Sequence, residues 1–529
     1  MGNIKLLDCT LRDGGRIIEC DFGKKRISNI LEDLQASGID IIEIGFIRNK
    51  IDYKPGTTFF TNFDQIKEYA KKVSSELVVF VDYGMFDIEQ IPVWTDDNPV
   101  TGIRYGFTKG NYDNAVAEMV EIQRKGYKLY VQDVNTLSYS DGELIELINK
   151  INDLEPYSFA IVDTYGAMYQ EDVVRYFDIL DHNLNPDIYI DFHSHNNYQL
   201  SFSLAQKVIK LAKASERMVI IDSTLYGMGK VAGNLNTELI VEYLNRKYGT
   251  DYELNRIFDS IDENIVEYKA NHEWGYSTNA LLAGMYMSHP NNVIYLTEKF
   301  KLDTTDIGNI LSMIDEDKRK TYDYDNIERL YIQYNTSLNS DSEARMQIEK
   351  KVKNRNILII APGSSIIGDA DKIKSFVKSE DPVIFCVNFV YGTEKDRYLF
   401  FANTKRYKEF YKEISGDVIL LSNIKHVTGN ELTIDYGTLV ERGEKNFDNA
   451  TIMLLRLLKD MRMKAIYIAG FDGFDINGHN FVLEELEFNN RNKNPEKINN
   501  EIMNMFSRIK DEYKRRGIDI TFITESIYN

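Results

Sequence analysis

The stretch DIYIDFHSHNNYQLSFSLAQKVIKLAKASERMVIIDSTLYG, residues 187–227, holds one complete structural unit. An apolar, β-branched run (DIYIDFHSHNN, 187–197) gives way to a charged amphipathic segment (QLSFSLAQKVIKLAKAS), and a second apolar run follows (MVIIDSTLYG, 218–227). Strand, helix and strand in this order make a parallel βαβ unit, because a strand that returns parallel to its predecessor needs a long crossover. The same alternation continues towards the amino terminus through IKLLDCT (4–10), IDIIEIGF (39–46), LVVFVDYG (77–84), GIRYGF (102–107), KLYVQDVN (128–135) and SFAIVDTYG (158–166). Eight strand candidates that start 25 to 38 residues apart predict a closed (β/α)8 TIM barrel, with an open doubly wound sheet as the competitor.

The rest of the chain reads differently. Residues 250–350 are mostly helical and charged, with the aromatic segment EWGYSTNALLAGMYMSHPNN at 273–292. SLNSDSEARMQIEKKVKNRN (337–356) reads as a polar linker or an exposed helix. A second α/β pattern then begins, with strands in NILIIAPGSS (356–365), PVIFCVN (382–388), DVILLSN (417–423), KAIYIAGFDGF (464–474) and IDITFIT (518–524), and a helix in NATIMLLRLLKDMRM. Four or five parallel strands predict a Rossmann-like sheet. The expected organisation is a barrel over 1–290, a helical extension and linker over 291–352, and a Rossmann-like α/β domain over 353–529.

Composition narrows the class. With 529 residues the chain is too long for one ordinary domain, and 43% hydrophobic with 27% charged residues is that of a soluble globular protein. A formal charge of −19 argues against nucleic acid or an anionic membrane as partner. The three cysteines, Cys9, Cys20 and Cys386, have neither CxxC nor zinc spacing, which fits a reducing cytoplasm. The start, MGNIKLLDCTLRDGG, has no apolar signal core, and MGNIKL lacks the Ser or Thr of a myristoylation site. No run reaches the roughly 18 apolar residues a membrane span needs. The expectation is a soluble cytoplasmic protein.

Polar residues gather at the carboxyl ends of the eight runs. Asp8, Thr10, Arg12 and Asp13 follow the first, Glu43 lies in the second and Asp82 in the third. Asp133 and Asn135 end the fifth, Asp163 and Thr164 the sixth, His193 and His195 the seventh, and Asp222 and Ser223 the eighth. In a barrel all these ends open on one mouth, where such enzymes carry their chemistry. Asp191, His193 and His195 share one face of their strand, and two imidazoles one pleat apart can hold one metal ion. A packed or surface histidine pair is the plainer alternative. Strand one lies beside strand eight in a closed barrel, so Asp13 could complete a two-histidine, one-carboxylate site with open positions for substrate. Arg12 could bind a carboxylate or steady an enolate oxygen; a cap and salt bridge opening the first helix is the other reading. Gly227, Gly229, Gly233 and Asn234 make a tight loop that reads equally as a phosphate cradle or a plain turn.

Four motifs occur together and in order: T-L-R-D-G on strand one, D-T-x-G (Asp163–Gly166) on strand six, H-x-H-N on strand seven and G-x-G-x-x-x-G-N after strand eight. This set resembles the DRE-TIM metallolyase superfamily, which includes 3-hydroxy-3-methylglutaryl-CoA lyase, isopropylmalate synthase and 4-hydroxy-2-oxovalerate aldolase, over about residues 4–290. The resemblance implies a divalent ion, Mn2+ or Mg2+, held by Asp13, His193 and His195 with Asn234 as a further ligand. It also implies that Arg12 steadies the enolate oxygen of a pyruvate-like intermediate. Glu43, placed with Arg12 among the substrate-binding residues, would hydrogen-bond Arg12 or a metal-bound water, with a structural salt bridge as the other reading. The glycine loop lacks the cysteine of the hydroxymethylglutaryl-CoA lyases and is closer to the hydroxyoxovalerate aldolase version. That aldolase has a catalytic histidine three residues beyond its metal-binding aspartate; here the position is Arg16, which cannot accept a proton at neutral pH and is assigned to an anionic substrate. Tyr276, in W-G-Y-S, stands where the aldolase has a mouth-facing tyrosine and is the candidate proton relay, with a packing aromatic as the alternative.

I-L-I-I-A-P-G-S-S, F-C-V-N and Y-I-A-G-F-D-G-F, between about 356 and 475, are similar to bacterial sialyltransferase and related Rossmann-like domains. That similarity implies nucleotide contacts at Gly363, Ser364, Ser365 and Asn388; the transferases' histidine base has no match, since His479 falls too early. The reading that emerges is a divalent-metal-dependent aldolase or lyase that makes or breaks a C–C bond at a 2-oxo acid, with an aldehyde, sugar-derived in one version, as the other half. A Claisen-type acyl-CoA enzyme of the same superfamily is the runner-up, and nucleotide-sugar binding or glycosyl transfer by the carboxyl-terminal domain is the third reading. Homo-oligomerisation is left open.

Overall fold

The computed structural model describes residues 3–49, 51–70, 75–300, 302–337, 340–392, 397–414, 416–425, 431–475, 479–483, 486 and 494–529. Its eight long amino-terminal strands are β1 (Ile4–Asp8), β2 (Ile41–Ile47), β3 (Glu76–Asp82), β4 (Val100–Thr108), β5 (Lys128–Val134), β6 (Ser158–Asp163), β7 (Tyr189–Ser194) and β8 (Val219–Ser223). Each pairs in parallel with the next, and β1 pairs with both β2 and β8, which closes the barrel. A two-residue strand, Phe59–Phe60, adds to β2 outside the ring. Helices α1 (Lys24–Ala36), α2 (Phe63–Lys67), α3 (Tyr112–Arg124), α4 (Asp141–Leu154), α5 (Gln170–Asn183), α6 (Ser201–Ser215) and α7 (Thr237–Tyr248) follow their strands. After β3 there is only a 3-10 turn at Ile88–Gln90.

Two apolar layers follow from the period-2 alternation of strand side chains. One set of positions packs outward against the helices, as Ile42, Val79 and Ile221 do against Ile30, Met119 and Val241. The other turns inward, where Leu7, Cys9, Ile41, Val78, Tyr130 and Ile220 fill the barrel. The helix ends are locally encoded: Ser140 caps α4 and Glu143 returns the bond to the Ser140 N–H, a capping box.

Past α7 the chain forms Leu254–Ser260, a π turn at Ile261–Ile265 and Val266–Asn271, then Thr278–Met285, Pro290–Phe300 and Thr304–Ser312. Thr278–Met285 packs against the loops that follow β6 and β7: Asn197 donates to the Ala280 carbonyl at 2.9 Å. A Cβ on Gly284 would lie 2.9 Å from the Tyr198 ring and 3.3 Å from the Tyr165 carbonyl, so glycine allows this close approach. Contacts divide the chain into two compact units, Met1–Tyr324 and Asp325–Asn529.

The second unit is a seven-stranded, wholly parallel sheet. Its strands are β9 (Asn356–Ile360), β10 (Val383–Val387), β11 (Arg397–Phe401), β12 (Asp417–Leu421), β13 (Leu432–Ile434), β14 (Ala465–Ala469) and β15 (Ile520–Phe522), in the spatial order β13-β12-β11-β10-β9-β14-β15. The expected four or five strands are corrected to seven. β11 is buried but its run, RYLFF, lies between charged segments, and β13 has three residues, too few to show a period. The stretch expected to be a polar linker or helix contains a helix at Ser342–Val352; residues 338 and 339 lie outside the described residues. Among the described residues no helix is long and apolar enough to cross a membrane.

Candidate active site

The turn after β1 and the end of β7 place three candidate ligands together. Atoms of Asp13, His193 and His195 lie within 4.8 Å of one another. His193 is buried, and its Nδ1 is 2.8 Å from Asp222 Oδ2, which leaves Nε2 free to face the group. This is the arrangement by which an outer carboxylate orients a ligating imidazole and raises its basicity. Burial, opposed by the Asp13 carboxylate, lowers the His195 pKa to about 4, so the ring is neutral and its lone pair available. Burial, the largest single effect, would raise Asp13, but Arg12, His195, Arg16 and His193 together outweigh it, and the carboxyl is held far below its ordinary range.

Arg12 is clamped. Its Nε donates to Glu43 Oε2 at 2.6 Å, its Nη1 donates to Asp13 Oδ1 at 2.7 Å, and its plane lies 4.6 Å from the centre of the Phe80 ring. Its Nη2 is buried with no hydrogen-bond partner. Beneath it sits a residue the sequence reading passed over. Arg104, on β4 and wholly buried, donates to Glu43 at 3.2 Å, Asp191 at 2.9 Å and Asp222 at 2.7 Å. One oxygen of Glu43 is thus shared by Arg12 and Arg104, and one of Asp222 by Arg104 and His193, so a continuous chain of charges runs from Arg12 to His193.

Two buried guanidiniums, Arg12 and Arg104, face the four carboxyls Asp13, Glu43, Asp191 and Asp222, and Arg16 approaches Asp13 from the rim. Burial and then the neighbouring Asp222 push Asp191 well above the carboxylate range, so it keeps its proton. At Asp222 burial is the largest effect and raises the carboxyl, but Arg104 and His193 together overcome it, so Asp222 is lowered and stays ionised. Two imidazoles and a carboxylate suit a hard or borderline divalent cation.

The remaining expected residues divide. Asn234 joins the group: its amide nitrogen donates to Asp13 Oδ2 at 3.1 Å and to the Met228 carbonyl at 3.0 Å, while its Oδ1 is buried without a partner. The glycine loop delivers it, because Gly233 (φ 73°) approaches the Gly227 carbonyl so closely that a Cβ would lie 2.0 Å from it. Arg16 stands at the rim, its Nε 3.7 Å from Asp13 Oδ1 and its guanidinium 5.0 Å from the Phe46 ring centre. Tyr276 is 63% exposed and takes part in none of the hydrogen bonds of the group.

Other carboxyls at the mouth serve their own loops. Asp8 accepts from the Thr10 N–H and the Thr237 hydroxyl, Asp163 from the Ala167 and Met168 N–H groups, and Asp82 from Arg48. Asp133 accepts from the Tyr139 hydroxyl at 2.8 Å, and burial pushes it up to about 8. Gln132 Nε2, Asn135 Oδ1 and Thr164 Oγ1 are buried at the ends of β5 and β6 with no partner.

In the second unit, Gly363 and Ser365 meet the end of β14. The Gly363 N–H donates to the Gly470 carbonyl at 2.8 Å, and the Ser365 N–H and hydroxyl both donate to Asp472. Ser364 opens the one-turn helix Ser365–Gly368 without a side-chain cap, and Asn388 Oδ1 accepts from the Ala402 N–H at 2.9 Å. Apart from Ser364, these groups tie loops to one another, with the Asp472 carboxylate placed where a phosphate would need the same donors.

Residues 107–262 match the model of the HMGL-like family. The barrel is an HMGL-like, DRE-TIM domain. This HMGL-like domain is similar to an oxaloacetate decarboxylase of Mycobacterium tuberculosis, 25% identical over 264 residues, which are 49% of this chain and 76% of the relative. It is also similar to a 4-hydroxy-2-oxovalerate aldolase of Carboxydothermus hydrogenoformans, 26% identical over 321 residues, 58% of this chain and 90% of the relative. Among solved structures, the carboxyl transferase domain of Rhizobium etli pyruvate carboxylase aligns with a TM-score of 0.49 at 12% identity, over 63% of this chain and 60% of that one. At the level of family the HMGL-like domain is a carbon–carbon lyase.

Proposed function

We propose that the barrel is a divalent-metal-dependent aldolase that makes or breaks the C–C bond beyond the keto carbon of a 2-oxo acid, with Asp13, His193, His195 and Asn234 as the metal's ligands. The observation that carries this reading is the meeting of Asp13, His193 and His195 beside a buried guanidinium with a free donor. When bound, the ion acts as a Lewis acid towards the carbonyl and carboxylate oxygens of the 2-oxo acid. Arg12 supplies the fixed donor: Glu43, Asp13 and Phe80 hold its plane, and its free Nη2 meets the oxygen that gains charge as the enolate forms. Asp222 keeps His193 in one tautomer and is itself pinned by Arg104, so little reorganisation is needed when charge develops. The buried Gln132, Asn135 and Thr164 atoms offer polar contacts on the side of β5 and β6.

Pyruvate release from a panel of 4-hydroxy-2-oxo acids and oxaloacetate, measured after chelation and again with Mn2+ or Mg2+, tests the proposal. Release should require added metal. Release that survives chelation, or no release from any member with metal present, would overturn it. His193→Ala should lose bound metal, measured by mass spectrometry of the protein's ions, together with turnover.

A further inference from the structure

The loop between β8 and α7 closes on itself. Gly227, Met228, Gly233 and Asn234 donate their N–H groups to the carbonyls of Thr224, Leu225, Lys230 and Gly227, which leaves residues 229–232 at the tip. Among the described residues, the N–H groups of Gly229, Lys230, Val231 and Ala232 donate to no protein acceptor. Val231 sits at φ 56°, a conformation a β-branched residue adopts only under constraint. Successive amides around such a residue form the concave, electropositive surfaces that accept anions.

Basic side chains lie near this tip. Lys230 is half-buried, and among the described residues its ammonium makes no hydrogen bond or ion pair. Burial and then the Arg16 guanidinium lower its pKa, while Asp13 and the exposed Glu19 reach it without forming a salt bridge. Among the described residues the Arg16 side chain makes no hydrogen bond, and its one ion pair is the 3.7 Å approach of Nε to Asp13, so its terminal amino groups are free. His289 comes from the segment beyond the barrel and feels both Lys230 and Arg16; burial, more than either cation, lowers its pKa to about 4. Its Nδ1 accepts from the Asn291 N–H at 3.1 Å, so the neutral ring carries its proton on Nε2. In a chain of 63 basic and 82 acidic residues, a half-buried ammonium with no ion pair and a guanidinium near it costs free energy that a bound anion offsets.

We propose that Arg16, Lys230 and the amides of the 229–232 tip form a subsite for a dianionic oxyanion, and that the aldehyde half of the substrate therefore carries a phosphate group. The second clause rests on the lyase reading; the first does not. A bidentate guanidinium, an ammonium and successive backbone N–H groups match the several oxygens of a phosphate better than the two of a carboxylate. Placed beside Asp13, the subsite would seat the phosphate at the rim, with the reacting carbon towards the ligand group.

Calorimetric titration of the full-length, metal-loaded protein with inorganic phosphate reads the subsite without catalysis. Lys230→Met should weaken phosphate at least about tenfold, and Lys230→Arg should restore most of it. With pyruvate as donor, the preference for glyceraldehyde 3-phosphate over glyceraldehyde should fall by a similar factor in Lys230→Met. Phosphate binding that depends on Lys230, in a protein that shows no pyruvate chemistry, would sink the lyase reading and leave the subsite standing. Undetectable phosphate binding, or binding indifferent to both Lys230 variants, would overturn the subsite.

Discussion

Arg12 illustrates how much one side chain is asked to do. Three of its features, a hydrogen bond to Glu43, another to Asp13 and the Phe80 ring beneath its plane, fix the direction of its remaining donor. Lysine could keep the charge but not the fork, so Arg12→Lys should retain metal and lower kcat about a hundredfold with little change in KM. Equal losses in metal content and kcat would instead make Arg12 a prop for Asp13. Asp133 gives a test that needs no substrate. Its folded pKa of about 8 lies far above the ordinary carboxylate value, so the native state holds a proton that the unfolded chain releases near pH 4. The ionisation therefore costs nothing below the unfolded pKa, and its destabilising effect grows as pH rises towards 8. Asp133→Asn can still accept from the Tyr139 hydroxyl and escapes this cost. Its stability relative to the parent should rise between pH 5 and pH 8 by up to about 1.4 kcal/mol per pH unit in denaturant unfolding. A difference independent of pH would show that Asp133 titrates normally.

Among the elements, the β8–α7 loop is the most constrained. Gly233→Ala would place a Cβ within 2.0 Å of the Gly227 carbonyl at a positive φ, so the loop must open and Asn234 must leave Asp13. Metal affinity should drop at least about tenfold while the barrel's circular dichroism is unchanged; unchanged affinity would remove Asn234 from the site. The elements themselves were largely legible beforehand. All eight barrel strands lie where apolar runs alternate with charged segments, since that alternation is the burial pattern of a two-layered barrel. The missing helix after β3 and strands β11 and β13 were not legible: short elements carry no period, and their existence depends on neighbours far away in sequence. Arg104 had a visible signal, one charge inside the run GIRYGF at an inward position, but its three partners come from β2, β7 and β8 and no local pattern names them. Lys230 was equally silent, because its meaning lies in an ammonium without a partner among the described residues, which only the folded chain displays.

At the scale of the molecule, the residues proposed for the chemistry, together with His289, fall within the first compact unit. We propose that this unit is separable. A fragment ending at Tyr324 should fold, bind one divalent ion and release pyruvate with kcat within about tenfold of the full chain, a difference of roughly 1.4 kcal/mol in barrier. A folded, metal-bound but inactive fragment would show that residues 325–529 complete the site. The pairing of β1 with β8 has a consequence for how the protein is made. Asp13 leaves the ribosome early, whereas His193, His195 and Asn234 follow some 180 to 220 positions later. Until β8 docks, β1 has one unsatisfied edge and Asp13 has none of these neighbours. If the proposed site holds an ion, every shorter nascent chain is unable to capture it in its final geometry, and metallation would have to follow synthesis of the whole barrel.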